Sequence, residues 1–240
     1  MPLKTLPLHF ITAFVTLVSA YACKKDNGQP SSSIDNYQDH NHYSFLALGD
    51  SYTIGQGVAE NERFPAQTRG MLNAVGKQIN DVQYIATTGW TTTDLQEAIA
   101  QQNPQGAFDI VTLLIGVNDQ HHLHDTTGYN ERFTSLAQKA IALTGNRNNH
   151  VFVLSIPDYS VTPFGMIDDT AQIRKEIDLF NSINYRVANE LGVNYTDITP
   201  VSREALNDAS LIANDHLHPS GKMYKEWADL LVQQIRQVLK

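Results

Sequence analysis

Apolar and polar positions alternate along the chain in two rhythms. Short apolar runs of strand length fall at 43–48, 82–88, 109–115, 150–156 and 193–199. Between them lie longer stretches in which apolar residues return every three or four positions, the spacing of a helix with one buried face. Phe64, Met71, Leu72 and Val75 share such a face, with Pro65 suited to the first turn and Gly76 to the stop. Thr93 and Gln96 have capping-box spacing ahead of Leu95, Ala98 and Ile99. Phe133, Leu136, Ala137, Ala140 and Ile141 predict a third helix stopped by Gly145, and Ile173, Ile177, Phe180, Val187 and Leu191 a long fourth ended by Gly192. Pro219 opens the last, whose inner face is Met223, Trp227, Leu231, Ile235 and Val238. Residues 158–168 predict a loop, and 201–217 a long connection with a short helix. The run at 109–115 is apolar without alternation, as in a central strand buried on both faces, whereas 193–199 alternates less cleanly. Strand and helix taking turns predict a parallel sheet with helices on both sides. Five strands in one domain of this length suit a flavodoxin-like three-layer α/β/α sandwich of order 2-1-3-4-5.

Two segments at the start break this rhythm. Residues 1–22 hold one Lys (Lys4), no acidic residue, a mostly apolar stretch from Leu6 to Val18 and then Ser19, Ala20 and Ala22. That is a secretory signal, too short to span a membrane. Ala22 directly before Cys23, the one cysteine, resembles a bacterial lipoprotein signal, although Ala20 stands where Leu is usual. The resemblance implies that Cys23 is acylated as the first residue of an exported, membrane-anchored protein, periplasmic or on the cell surface. A plain cleaved signal with an incidental cysteine is the alternative. Residues 23–42 are polar and aperiodic, and predict a flexible tether in which His40 and His42 are solvated. The folded domain is then 43–240.

Charge removes further classes of function. The 240 residues carry a formal charge of −8, which argues against nucleic acid as a partner and against a basic patch docking on anionic lipid. With 42% hydrophobic and 18% charged residues the chain can bury a core.

Residues with chemical potential collect at the predicted strand ends. The first run stops abruptly at Gly49-Asp50-Ser51, a strand running into a tight turn. Thr53 occupies the place of the second glycine of a Gly-x-Ser-x-Gly elbow, so this is not an α/β-hydrolase turn. Gly89 follows the second strand and Asn118 the third. In the order 2-1-3-4-5 both flank Ser51 at the point where strand order reverses, the place where such sheets bind ligands. After the fifth strand comes Asp215-His216-Leu217-His218-Pro219. A serine hydroxyl needs an imidazole to take its proton, and the imidazole needs a carboxylate to hold its tautomer. Asp215, three residues before His218 in a turn, can supply that carboxylate. His216 is a bystander. Asn118 and the Gly89 N–H suit the stabilisation of a developing oxyanion. Each of these residues taken singly also fits an ordinary turn.

Together the four places resemble the conserved blocks of the SGNH (GDSL) hydrolases. Gly49-Asp50-Ser51 with Gly55 and Gly57 resembles the first block, Gly89 the second, Gly116 to Asp119 the third, and Asp215 with His218 the fifth. The resemblance runs from about Tyr43 to the C-terminus. It implies a flavodoxin-like fold without metal or other cofactor, Ser51 as nucleophile, His218 as base and Asp215 as its orienter. It also implies an oxyanion hole of the Ser51 and Gly89 N–H groups with the Asn118 side chain. The expected activity is hydrolysis of carboxylic esters of a small molecule, lipid or glycan through an acyl-enzyme. A carbohydrate O-deacetylase or an acyltransferase would use the same residues, and a tethered, non-catalytic binding module is the alternative of another class.

Two further groups invite a role. His121, His122, His124 and Asp125 are dense enough to suggest zinc, but lack a nearby Cys or a helical His-Glu-x-x-His pattern, and read as a polar loop at the rim of the site. Tyr52, Trp90 and Phe164 are candidates to line an acyl pocket.

Overall fold

A computed structural model describes residues 42–239. The predicted signal, Cys23, His40 and the tether up to residue 41 lie outside the described residues. His42 itself is ordered: it forms, with Tyr43, a short parallel pair with Gln78–Ile79.

Five parallel strands form the main sheet: β1 Phe45–Gly49, β2 Gln83–Ala86, β3 Ile110–Leu114, β4 Val151–Leu154 and β5 Asn194–Thr196. Their spatial order is 2-1-3-4-5. Every residue of β1, β3 and β4 is buried, which explains their unbroken apolar runs. The strands are shorter than the runs that announced them, most of all the edge strand β5.

Among the described residues eight α-helices lie between and after the strands: α1 Ser51–Ile54, α2 Phe64–Ala74, α3 Thr92–Gln102, α4 Val117–Leu123, α5 Tyr129–Leu143, α6 Thr170–Leu191, α7 Thr199–Arg203 and α8 Gly221–Val238. Helices α2 and α8 pack on each other as one layer, and α3, α5 and α6 form the other. The inner face of α8 carries Met223, Trp227, Leu231 and Ile235 at four-residue spacing, all fully buried. Side chains of this size stabilise by roughly 1.5–3 kcal/mol each on burial. Trp227 sits among the rings of Tyr52, Phe64 and Tyr224, at centroid distances of 6.3, 6.2 and 5.1 Å. Through Tyr52, a residue of α1, this cluster anchors α1 to the α2–α8 layer.

Local details differ from the sequence expectation in four places. The capping box of α3 is Thr91 with Asp94, not Thr93 with Gln96: Asp94 Oδ2 accepts from Thr91 N at 2.8 Å, while Thr91 Oγ1 accepts from Asp94 N. Thr93 already lies inside the first turn. Helix α8 is capped by Ser220, whose hydroxyl can accept from Met223 N, so Pro219 stands just outside it and bridges to Ile212. Val75 is the C-cap of α2 and half-exposed rather than inward. Ile141 is likewise only partly buried.

Register puts the chemistry on one edge. Gly49, the last residue of β1, pairs with Ala86 on one side and with Leu114 on the other. The segments leaving these three strands therefore start level, side by side.

Candidate active site

Strand β1 can only leave the sheet through a glycine here. A Cβ on Gly49 would come within 2.2 Å of Thr53 Oγ1 and 2.3 Å of Leu114 O. Asp50 caps α1 by accepting from Tyr52 N at 3.0 Å, and Gly55 closes the turn in the left-handed region at φ 69°. Ser51 is thus the first residue of a one-turn helix, a position whose N–H has no intrahelical acceptor.

The Ser51 hydroxyl lies 3.0 Å from His218 Nε2, and His218 Nδ1 lies 2.7 Å from Asp215 Oδ2. The other carboxylate oxygen, Asp215 Oδ1, accepts from the backbone N–H of Leu217 at 3.0 Å and of His218 at 2.9 Å. One side chain therefore shapes the turn and holds the imidazole. His216 makes that turn possible by adopting φ 66°, and its side chain stays outside the Ser51–His218–Asp215 chain. Burial pushes the Asp215 carboxyl up, but the two backbone donors and the His218 ring outweigh it and hold it below the ordinary carboxylate range. Behind the carboxylate stands Gly57 at φ 87°, where a Cβ would lie 2.8 Å from Asp215 Oδ2. Tyr52 meets the His218 ring edge-on at 5.4 Å.

Two candidate oxyanion donors, Gly89 and Asn118, lie at the two neighbouring strand ends. The Trp90 N–H closes a turn on Thr87 O, with Gly89 in third place at φ 84°, a position that favours glycine and leaves its own N–H outside the turn bond. Asn118 is the second residue of α4, and its amide donates to Trp90 O at 2.9 Å, which orients it and leaves its second N–H uncommitted. Beside it Asp119 is buried and accepts from Thr92 N at 2.8 Å, Thr92 Oγ1 at 2.6 Å and Arg132 Nη2 at 3.2 Å. Asp119, Thr92 and Arg132 had no role in the sequence reading. Together they clamp the start of α4 to α3 and α5.

Ser51, Gly89, Asn118 and His218 line one cavity of about 250 Å³, with Tyr159, Phe164, Leu217 and His121 forming its wall. A larger cavity of about 640 Å³, beside Ser160, Met166, Arg174 and Lys175, contains none of the residues of the Ser51–His218–Asp215 chain. Of the aromatic candidates, Tyr52 and Phe164 line the cavity, whereas Trp90 contributes its carbonyl to Asn118 instead. Tyr159 and Gln56, which the sequence did not single out, also line it. The His121 and His122 rings lie 5.7 Å apart, but the three histidines after Asn118 have different partners. His121 reaches Tyr159 at 3.4 Å, His124 pairs with Glu176 at 3.0 Å, and among the described residues no three His, Cys, Asp or Glu side chains converge as metal ligands.

A parallel five-stranded sandwich with a serine, a histidine and an aspartate in line at its switch point defines an α/β/α hydrolase. The chain belongs to the GDSL-like lipase/acylhydrolase family, whose profile matches residues 47–226. It is a carboxylic ester hydrolase. None of the curated protein sequences matches it. Among solved structures it is similar to a lipase/acylhydrolase from Enterococcus faecalis, at 19% identity over 82% of this chain and 97% of that one, with a TM-score of 0.63. The acetylxylan esterase Axe2 from Geobacillus stearothermophilus is 22% identical over 80% and 94% of the two chains, with a TM-score of 0.60. Phospholipase A1 from Streptomyces albidoflavus NA297 is 20% identical over 80% and 98%, with a TM-score of 0.61. At these identities the likeness is one of fold.

Proposed function

We propose that the chain hydrolyses short-chain carboxylic esters through an acyl-enzyme on Ser51. Ser51 Oγ attacks the ester carbonyl carbon while His218 Nε2 takes its proton, and the carbonyl electron pair moves onto oxygen. The Ser51 and Gly89 N–H groups and the Asn118 amide receive that charge. Collapse breaks the bond to the alcohol oxygen, which leaves with the proton held by His218. Water then attacks the acyl carbon and gives a proton to His218; collapse breaks the bond to Ser51 Oγ, which takes that proton back, and the acid is freed. Asp215 keeps Nδ1 protonated and favours the transient imidazolium. The observation that carries this reading is the unbroken chain from Asp215 Oδ2 through the ring to Ser51 Oγ, at 2.7 and 3.0 Å.

The preference for short acyl groups rests on volume. The cavity of about 250 Å³ falls below the roughly 300–1,000 Å³ of sites for drug-sized ligands. The similar structures include an acetylxylan esterase and a phospholipase A1, so the fold itself serves both short and long acyl groups. An organophosphonate should label the wild type and leave Ser51→Ala unlabelled, and labelling that survives the substitution moves the nucleophile elsewhere. Across p-nitrophenyl esters of rising chain length, kcat/KM should peak between acetyl and butyryl. A maximum at long chains overturns the short-acyl reading alone.

The Cys23 anchor is proposed on the sequence layout only. Wild type should partition with membranes, and Cys23→Ser should release it or block processing. Equal partitioning of both forms removes the anchor.

A further inference from the structure

The cavity wall is asymmetric, and the asymmetry bears on which alcohol leaves. In the mechanism proposed above, the carbonyl oxygen of the ester points toward Gly89 and Asn118, so the alcohol lies on the side of His218, which must protonate it. That side is built from Leu217 and Phe164, tied together where Phe164 N donates to His216 O at 3.1 Å. Phe164 is 38% exposed, so much of its ring is open to an incoming group. His121 stands over it at a centroid distance of 6.2 Å, with Tyr159 edge-on to the imidazole at 6.1 Å. His121, on the second turn of α4, lines the same cavity, and its contact with Phe164 places its ring on the Leu217–Phe164 side. Its Nδ1 meets the Tyr159 hydroxyl at 3.4 Å, and its ring makes no other hydrogen bond among the described residues. A neutral imidazole offers one donor and one acceptor, so with Nδ1 directed at Tyr159 the other nitrogen is available to a ligand.

We propose that His121, positioned by Tyr159, binds a hydroxyl of the leaving alcohol, and that the preferred substrates are O-acyl esters of sugars or similar polyols. An apolar ring face beside a hydrogen-bonding imidazole fits such an alcohol, which has C–H faces and hydroxyl edges. A plain alkyl alcohol would cover Phe164 but leave the imidazole desolvated and unpaired, and sites built to bind a hydroxyl discriminate strongly against analogues that lack it. The inference rests on Ser51 as nucleophile and deepens that reading by naming the alcohol.

The test compares two acetates of similar size, a mono-O-acetylated methyl xyloside and cyclohexyl acetate, in wild type, His121→Phe, His121→Gln and Tyr159→Phe. The readout is the ratio of the two kcat/KM values within each enzyme, so a general loss of activity cancels. Wild type should favour the xyloside, His121→Phe should lower the ratio roughly tenfold or more, and His121→Gln, which keeps a donor and an acceptor, should restore part of it. Tyr159→Phe should lower it less. A wild-type ratio near unity, or a ratio unmoved in His121→Phe, overturns the inference. Phosphonate labelling of Ser51 in the same preparations separates the two readings: labelled enzyme without discrimination sinks the polyol inference alone, whereas unlabelled wild type sinks the Ser51 assignment beneath it.

Discussion

Asp50 sits in the middle of the Gly-Asp-Ser step, yet it takes no part in the proton relay. Its carboxyl is buried; Oδ1 caps α1 through Tyr52 N, and Oδ2 has no hydrogen-bond partner. Burial, aided by the nearby Asp119 charge and opposed by the Tyr52 N–H, raises its pKa from 3.8 to about 8. The folded state thus keeps the proton while the unfolded chain releases it above about pH 4. Below that pH both states are neutral and the folded form carries no penalty. Between about pH 4 and 8 the unfolded state gains by ionising, and stability falls by about 1.4 kcal/mol per pH unit. Above the folded value both ionise and the loss levels off, at a total on the order of 5 kcal/mol. Asn cannot ionise and caps a helix as well as Asp, so Asp50→Asn should remove this slope and keep α1. Urea unfolding of both proteins at a series of pH values measures it. The advantage of the variant should grow by about 3 kcal/mol from pH 5.5 to 7.5 and then flatten. The Asp215 carboxyl cannot mimic the effect: its value is lowered, so its stabilisation is present above the ordinary carboxylate range and lost only as pH falls below it. A difference between the proteins that does not change with pH would refute the reasoning, because Asp50 would then be ionised in the folded state.

The remaining predictions concern the groups around Ser51. Asn118→Ala should lower kcat by about 10²–10³ with little change in thermal stability, and an unchanged kcat removes Asn118 from the oxyanion hole. Asp215→Asn should keep the fold and lower kcat by up to about 10⁴, since the amide can hold the ring in the wrong tautomer; a near-normal rate would mean that another group orients His218. Gly57→Ala should destabilise by about 1–3 kcal/mol through its positive φ and also lower kcat, because the added methyl meets the Asp215 carboxylate. Gly76→Ala is its control, with a similar φ and open space around the added methyl, so equal kcat in both variants sinks the idea that Gly57 positions Asp215.

What could be read in the sequence was whatever depends on short-range pattern. The buried runs at β1 and β3 locate the strand ends, and the strand ends locate Ser51 and Asn118. Asp215 and His218 share one turn, so their contact is local and its spacing carries the information. The contacts that escaped are those that join distant segments. Arg132 reaches Asp119 and Thr92 from another helix, and nothing near Arg132 in the chain marks it. Tyr159 enters the cavity from a loop that packs on α6 and is tied by its own Asp158 and Thr162 side chains, and there it shares a wall with Ser51 from a distant part of the chain. The capping box moved by two positions because Thr91, Thr92 and Thr93 offer the same side chain in succession. The local Thr91–Asp94 bonds and the tertiary pairing of Thr92 with Asp119 together fix where the helix starts.

Helix α4 shows how a seven-residue element can serve several neighbours at once. Its start carries Asn118 toward Trp90 and the cavity, and Asp119 toward Thr92 and Arg132. One turn later His121 faces Tyr159, while Gln120 and His124, four residues apart, both reach Glu176 on α6, at 2.7 and 3.0 Å. Burial pushes the Glu176 carboxyl up, but donors from Gln120, His124 and Gln172 outweigh it and keep it ionised. The helix is thus bonded to α3 and α5 at one end and to α6 at the other, before any substrate arrives. Donors fixed in this way need no rearrangement when charge develops on the carbonyl oxygen, and that absence of reorganisation is what makes an oxyanion hole effective. The same two anchors fix the distance between the Asn118 amide and the His121 ring. A change at either end of α4 should therefore reach both the rate of acyl transfer and the choice of alcohol.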